Sequence, residues 1–185
     1  LEFRRVLFRS VMESTRKQKN NISSKTRVLV SSALFAALVC ITTAFHIPVG
    51  NGGYAHIGDT FIYLAAVLLP KPYAALAAAV GAGMADVLTG AANWAFATII
   101  IKPILVLFFT NKSDKIINVR NVFAAIIAGI VGTVLYMVAE GIMYGSFVAA
   151  FALSLVGLIQ PIGSFIVFIV LSLVFDKIKI KEIIK

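Results

Sequence analysis

The sequence predicts an all-α integral membrane protein, a bundle of six transmembrane helices with both termini in the cytoplasm. Three observations predict it. Of 185 residues, 60% are hydrophobic and only 14% charged, whereas a soluble domain is about 45–50% apolar. The mean hydropathy is +0.97. The basic residues gather in tails and alternate turns rather than along the apolar runs, as the positive-inside rule requires.

Six runs are candidate spans, given that about 20 apolar residues cross a bilayer and shorter or tilted ones sometimes suffice. Span 1 covers about 27–45, span 2 about 57–69 and span 3 about 73–89. Span 4 covers about 94–109, span 5 about 122–143 and span 6 about 147–175. Pro70-Lys71-Pro72 separates spans 2 and 3, since proline ends one helix and suits the first turn of the next. Asn51-Gly52-Gly53 marks an irregular loop after span 1. The domain division is a basic tail over 1–24, a membrane domain over 25–181 and a short tail over 182–185. Residues 1–11, a basic and apolar mixture without a clean period, read as an assembly scar and are set aside.

The charges orient the bundle. Arg16, Lys17, Lys19, Lys25 and Arg27 precede span 1, and Lys71 follows span 2. Lys112, Lys115 and Arg120 follow span 4, and Lys177, Lys179, Lys181 and Lys185 follow span 6. The other three loops hold no Lys or Arg. The net charge of +9 therefore sets topology and is not a patch for nucleic acid.

With that orientation the ionisable residues inside the spans fall in the outer half or near mid-depth. Asp59, Asp86 and Glu140 lie toward outer ends. Lys102, eight residues past Trp94, is roughly 12 Å deep at 1.5 Å per residue. Asp59 and Tyr63 share a face, as do Thr98 and Lys102, and Tyr136, Glu140 and Tyr144 form a stripe. Gln160 precedes Pro161 near mid-depth, and Asn93 and Trp94 sit at the turn into span 4. Together they suggest aromatic walls with a few polar anchors, the composition of a small-molecule site.

Plainer readings stand beside this one. Asp86 and Lys102 can be an ion pair pinning spans 3 and 4, and Asp59 a helix cap. Trp94, Tyr54 and Tyr144 can be interfacial belt residues, and Glu140 can reach outer water. Small residues four apart, Ala33 and Ala37 with Ser32 and Ala36 in span 1, let another helix approach closely. Similar pairs occur in span 3 (Ala77, Gly81, Ala85) and span 5 (Ala125 and Gly129, Ala128 and Gly132).

Cys40 is alone, so no intrachain disulfide or CxxC site exists. His46 and His56 are too few for a closed zinc site, and no metal or other cofactor is expected. GxxxxGK[ST], GxSxG and HExxH are absent, so no P-loop, hydrolase or zincin chemistry is expected and the chain is not read as an enzyme.

The stretch from Gly81 to Gly90, GAGMADVLTG, followed by Trp94, Thr98 and Ile101-Lys102, resembles the substrate-binding S components of energy-coupling factor (ECF) vitamin transporters, more narrowly the riboflavin-type group. It is similar to that family's glycine-rich helix, Asp-Leu-x-x-Gly turn and Thr…Lys segment, with Val87 in place of the turn's Leu. Ala33 and Ala37 resemble the family's cytoplasmic docking motif. The resemblance covers about 25–181 and implies a binding subunit in a prokaryotic plasma membrane. Such a subunit takes a vitamin or precursor from outside (a hydroxymethylpyrimidine, pyridoxine or riboflavin-like heterocycle). It then docks on a membrane scaffold carrying two ABC-type ATPases. The expected substrate-binding residues are Asp59, Tyr63, Asp86, Asn93, Trp94, Thr98, Lys102, Tyr136, Glu140 and Gln160. Ala33 and Ala37 would dock the partner, and Asn51, Gly52, Gly53 and Tyr54 would gate the outer mouth. A stand-alone secondary transporter or channel and a ligand-free assembly protein are the alternatives.

Overall fold

The computed structural model describes residues 2–49 and 53–184. Eight helices are found there: α1 (Glu2–Ala44), α2 (Gly58–Leu68), α3 (Lys71–Leu88), α4 (Ala92–Val106), α5 (Val119–Tyr144), α6 (Phe147–Gly157), α7 (Ile159–Lys177) and α8 (Ile180–Ile184). Between α1 and α2 lies a short antiparallel hairpin, β1 (Ile47–Val49) paired with β2 (Gly53–Ala55). The loop expected at that point thus carries a small sheet, an addition to the helical bundle.

Three stretches are long and apolar enough to cross a membrane: Ser24–Ala44, Val119–Tyr144 and Phe147–Lys177. The chain is a multi-pass helical membrane protein. Helix α2 has only 11 residues, about 16 Å of rise against a hydrocarbon core of about 30 Å. It need not meet lipid along its length, because Ile62 through Val67 are all fully buried. Its apolar character serves protein packing, which hydropathy alone does not distinguish from lipid exposure.

Helix ends follow local chemistry. Pro70 caps α3, with Pro72 in the first turn, where a missing N–H costs nothing. The N-cap Asn118 accepts from the Asn121 N–H, and Ser146 accepts from the Ala149 N–H. Helix α5 stops at Gly145, whose φ of 71° is the left-handed conformation glycine adopts without strain. The single run expected over 147–175 is divided at Leu158 into α6 and α7.

Helix α1 packs along α3 through small residues. A Cβ on Gly81 would fall 2.5 Å from the Ala36 carbonyl oxygen, so the two backbones are as close as glycine permits. Ser32 lies buried and Ala36 half-buried on this side of α1, whereas Ala33 and Ala37 are exposed on the other. The small residues of α3 and α5 (Ala77, Gly81, Ala85, Ala125, Ala128, Gly129, Gly132) are buried. Those of α3 serve packing inside the bundle, and Ala128, Gly129 and Gly132 of α5 also border a cavity.

One end of the molecule carries the lysines. There the α4–α5 loop is knitted by side chains bonded to backbone. The Asp176 carboxylate accepts from the Ile116 and Ile117 N–H groups at 2.7 and 2.9 Å. Asn121, fully buried, donates to the Thr110 and Ile116 carbonyls and accepts from the Thr110 N–H. Lys71 donates to the Leu107 carbonyl and Lys181 to that of Ser113. The hairpin, the α3–α4 turn and the α5–α6 turn occupy the opposite end.

Candidate functional site

A cavity of about 520 Å³ opens among α2, α3, α4, α5, α6 and α7 toward the hairpin end. The reasons for its walls are local. Helix α5 presents Tyr136, Glu140 and Tyr144 at four-residue spacing, so the three side chains share a stripe. One turn and more below, Ala128, Gly129 and Gly132 leave space where larger residues would fill it. Helix α6 lines the far wall with Ala149, Ala150, Leu153 and Ser154.

Of the ten expected substrate contacts, Asp59, Asp86, Trp94, Thr98, Lys102, Tyr136, Glu140 and Gln160 line this cavity. Two do not. Tyr63 turns into the core, its ring 5.0 Å from Phe109 and 5.8 Å from Phe168 between centroids. It shares a face with Asp59 as expected, but α2 is enclosed by protein all round, so that face also meets the core. Asn93 is exposed at the rim, where its Nδ2 donates to the Tyr144 hydroxyl at 3.4 Å. Of the expected gate, Asn51 and Gly52 lie outside the described residues. Gly53 and Tyr54 belong to β2.

The pairing of Asp86 with Lys102 is corrected. Lys102 Nζ donates to Asp59 Oδ1 at 2.6 Å, with both side chains almost wholly buried. The second Asp59 oxygen accepts from Gln160 Nε2 at 2.9 Å. Asp59, in the first turn of α2, therefore ties α4 and α7 to α2 and caps nothing: the N-cap position is Ile57, with no side-chain cap bond. Asp59 and Asp86 both lie toward outer span ends, and only the lateral neighbour of α4 decides which of them Lys102 meets. The Lys102 ammonium also stands 5.1 Å over the Tyr136 ring, a favourable cation–π distance.

Asp86 is engaged otherwise. The Tyr136 hydroxyl donates to Thr98 Oγ1 at 3.0 Å, and Thr98 lies beside the Asp86 carboxylate. Asp86 Oδ2 is shielded from solvent and has no hydrogen-bond partner. Trp94 stands 6.1 Å from Tyr136 and 6.0 Å from Tyr144 between ring centroids, giving one side of the cavity an aromatic wall.

Two contributors were missed in the sequence. His56, considered there only as a metal ligand, lines the cavity. Its Nδ1 accepts from the Gly58 N–H at 3.1 Å, which fixes that nitrogen as unprotonated. Burial, and next the nearby Lys102 ammonium, lower its pKa to about 4, so the imidazole is neutral near pH 7. Its position three residues before Asp59 was the available signal. The α6 wall offered none, because Ser154 is its one polar contact to the cavity and the rest is alanine, glycine and leucine.

The arrangement can hold a flat, vitamin-sized solute against aromatic rings with acceptors at its edge. It offers no nucleophile paired with a base. A family model described as ECF-type riboflavin transporter, S component, matches residues 23–178. No curated protein and no solved structure matches the chain.

Proposed function

The chain belongs to the ECF-type riboflavin transporter S-component family, a transporter subunit and not an enzyme, and from that premise we propose that it captures a small heterocyclic vitamin or precursor from outside the cell. The solute class is a hydroxymethylpyrimidine, pyridoxine or riboflavin-like ring. The observation that carries this reading is the single cavity that gathers Asp59, Asp86, Lys102 and Glu140 beside Trp94, Tyr136 and Tyr144. Intramembrane ionisable groups are costly and ordinarily face a protein interior or a wet cavity. Four of them placed at random would not share one wall system.

In this reading the bundle crosses the plasma membrane of a prokaryotic cell six times. The lysine-bearing end and both termini are cytoplasmic, and the hairpin end with its cavity faces out. The short α2 crosses within the protein envelope, while α4 turns Phe96, Ile99 and Ile100 outward. The hairpin over 47–55, with Asn51, Gly52, Gly53 and Tyr54, gates the outer mouth. Residues Asp59, Asp86, Trp94, Thr98, Lys102, Tyr136, Glu140 and Gln160 hold or position the solute. Ala33 and Ala37, exposed while the other α1 small residues pack on α3, form the surface that meets the membrane scaffold and, through it, two ABC-type ATPases. Release then follows from motion of the whole subunit driven by that motor, since the sequence carries no phosphate-binding GxxxxGK[ST] motif.

The test separates binding from transport. Mass spectrometry of the purified protein should find a co-purified heterocycle, and thermal-shift screening should find the same compound raising the melting temperature. Ala33→Trp and Ala37→Trp should bind that compound as the wild type does, yet lose uptake in cells that hold the complete transporter. Full uptake in both variants would remove the docking role. Uptake by the chain alone in vesicles would replace the subunit reading by a stand-alone carrier.

A further inference from the structure

The cavity has three carboxylates and one ammonium on its walls: Asp59, Asp86, Glu140 and Lys102. The ammonium is already committed. Asp59 holds it at 2.6 Å, and the Tyr136 ring covers another side. Gln160 takes the remaining Asp59 oxygen, so this cluster closes on itself. His56 contributes no positive charge, because its Nδ1 is an acceptor for the Gly58 N–H.

What is left unsatisfied is negative. Glu140 stands at the wall with no ion-pair partner among the described residues. Asp86 has Thr98 beside its carboxylate, while its Oδ2 is removed from water and has no donor among the described residues. A desolvated carboxylate oxygen without a donor costs free energy, and such an atom in a folded protein calls for an explanation. A ligand N–H supplies one. The neighbouring face of Trp94, Tyr136 and Tyr144 favours a flat ring and, through its electrons, a positively charged one.

We propose that Asp86 is the specificity-determining residue of this cavity, and that it selects a neutral or cationic heterocycle bearing an amino N–H donor while excluding anionic forms of the same ring. The ligand's amino group, or its amino group with a protonated ring nitrogen, donates to the Asp86 carboxylate. A carboxylate or phosphate on the ligand would meet Asp86 and Glu140 with no free cation to receive it. Lys102 acts through Asp59 as a positioning residue: it keeps that carboxylate neutralised so that the carboxylates left to address the ligand are Asp86 and Glu140. The proposal rests on the solute-capture reading above and narrows its chemistry.

Matched probes test it, with binding to the purified full chain followed by calorimetry and thermal shift. The probes are 4-amino-5-hydroxymethyl-2-methylpyrimidine, its 4-oxo isostere methylated at N3 so that it carries no N–H, its 5-carboxylate analogue, pyridoxine and riboflavin. The aminopyrimidine should bind most tightly, and the oxo isostere at least about 100-fold more weakly, since a site built around a hydrogen bond rejects the analogue lacking it. The carboxylate analogue should not bind measurably. Asp86→Asn should weaken the aminopyrimidine by about 10- to 100-fold and narrow the gap to its oxo isostere, because the amide can donate as well as accept. Should Asp86→Asn fail to fold, Glu140→Gln in an otherwise native chain should raise binding of the carboxylate analogue from nothing to a measurable level. Equal binding of amino and oxo forms, or tight binding of the carboxylate, overturns the proposal. So does binding of riboflavin or pyridoxine without the aminopyrimidine, though solute capture would then stand. No binding by any probe, with no co-purified compound, overturns solute capture itself.

Discussion

Polar side chains at the two ends of this molecule bond to different kinds of partner. At the lysine-bearing end they bond to backbone: Asp176 to two N–H groups, Asn121 to Thr110 and Ile116, Asn111 to the Leu69 carbonyl, and Lys71 and Lys181 to carbonyls. Around the cavity, beside backbone bonds such as His56 to Gly58 and Thr133 to Gly129, bonds run from side chain to side chain: Lys102 to Asp59, Gln160 to Asp59, Tyr136 to Thr98 and Asn93 to Tyr144. The difference separates structure from function. A side chain that satisfies a loop backbone is spent on holding that loop. A network of side chains around a space, with Asp86 Oδ2 left over, is arranged for something that is to arrive.

The sharpest way to break the comparison is to open the buried ion pair. Lys102→Met leaves the Asp59 carboxylate almost wholly buried with Gln160 as its remaining donor. Removing one partner of a buried pair costs about 3–5 kcal/mol, so the melting temperature in detergent should fall steeply and solute binding should be lost. The double variant Asp59→Leu with Lys102→Met removes both charges, and stability should return to near wild type. Binding should stay weak, because the cavity wall and its anchor to Gln160 are gone. Recovery of both together would mean that the pair serves packing alone.

At the other end the expected effect is smaller and of another kind. Asp176→Ala orphans the Ile116 and Ile117 N–H groups, each at about 1–3 kcal/mol if water cannot reach it. Half-exposed surroundings put the total toward the lower part of that range. Thermal stability should drop while the affinity for the solute stays within about twofold, as expected for distant, independent sites. A loss of affinity would erase the division between the two ends.

Much of this division was legible in the sequence. Proline and glycine placed the helix boundaries, and four-residue spacing placed Tyr136, Glu140 and Tyr144 on one stripe. Lys and Arg in alternate turns separated the two ends. The rest needed the lateral arrangement of helices. Asp59 and Asp86 lie at similar depth, and no periodicity says which helix stands beside α4, so the partner of Lys102 could not be read. Tyr63 shows a related limit: a helix enclosed on all sides has no solvent-facing stripe, and spacing then cannot tell cavity from core. The α6 wall escaped because small apolar residues line a cavity without any chemical signature. The hairpin escaped because glycine and asparagine mark a turn without saying that its arms will pair.

His56 gives the mildest test, and it bears on the link between the two kinds of bonding. It lines the cavity, yet its Nδ1 bonds to the Gly58 backbone N–H. Burial and Lys102 lower its pKa from 6.5 to about 4. The unfolded chain therefore binds this proton more readily than the folded one between those values. The stabilising contribution of the neutral ring is fully present above about pH 6.5 and is lost as pH falls toward 4. Melting temperatures measured from pH 7.5 to 4.5 should decline over the lower part of that range. In His56→Asn the amide oxygen can still accept from Gly58 N–H but does not titrate, so the decline should become shallower by the share His56 contributes. Solute affinity between pH 6.5 and 7.5 should be flat in the wild type as far as this group is concerned. An unchanged decline in the Asn variant would assign the acid sensitivity to the carboxylates of the cavity and reduce His56 to a turn residue.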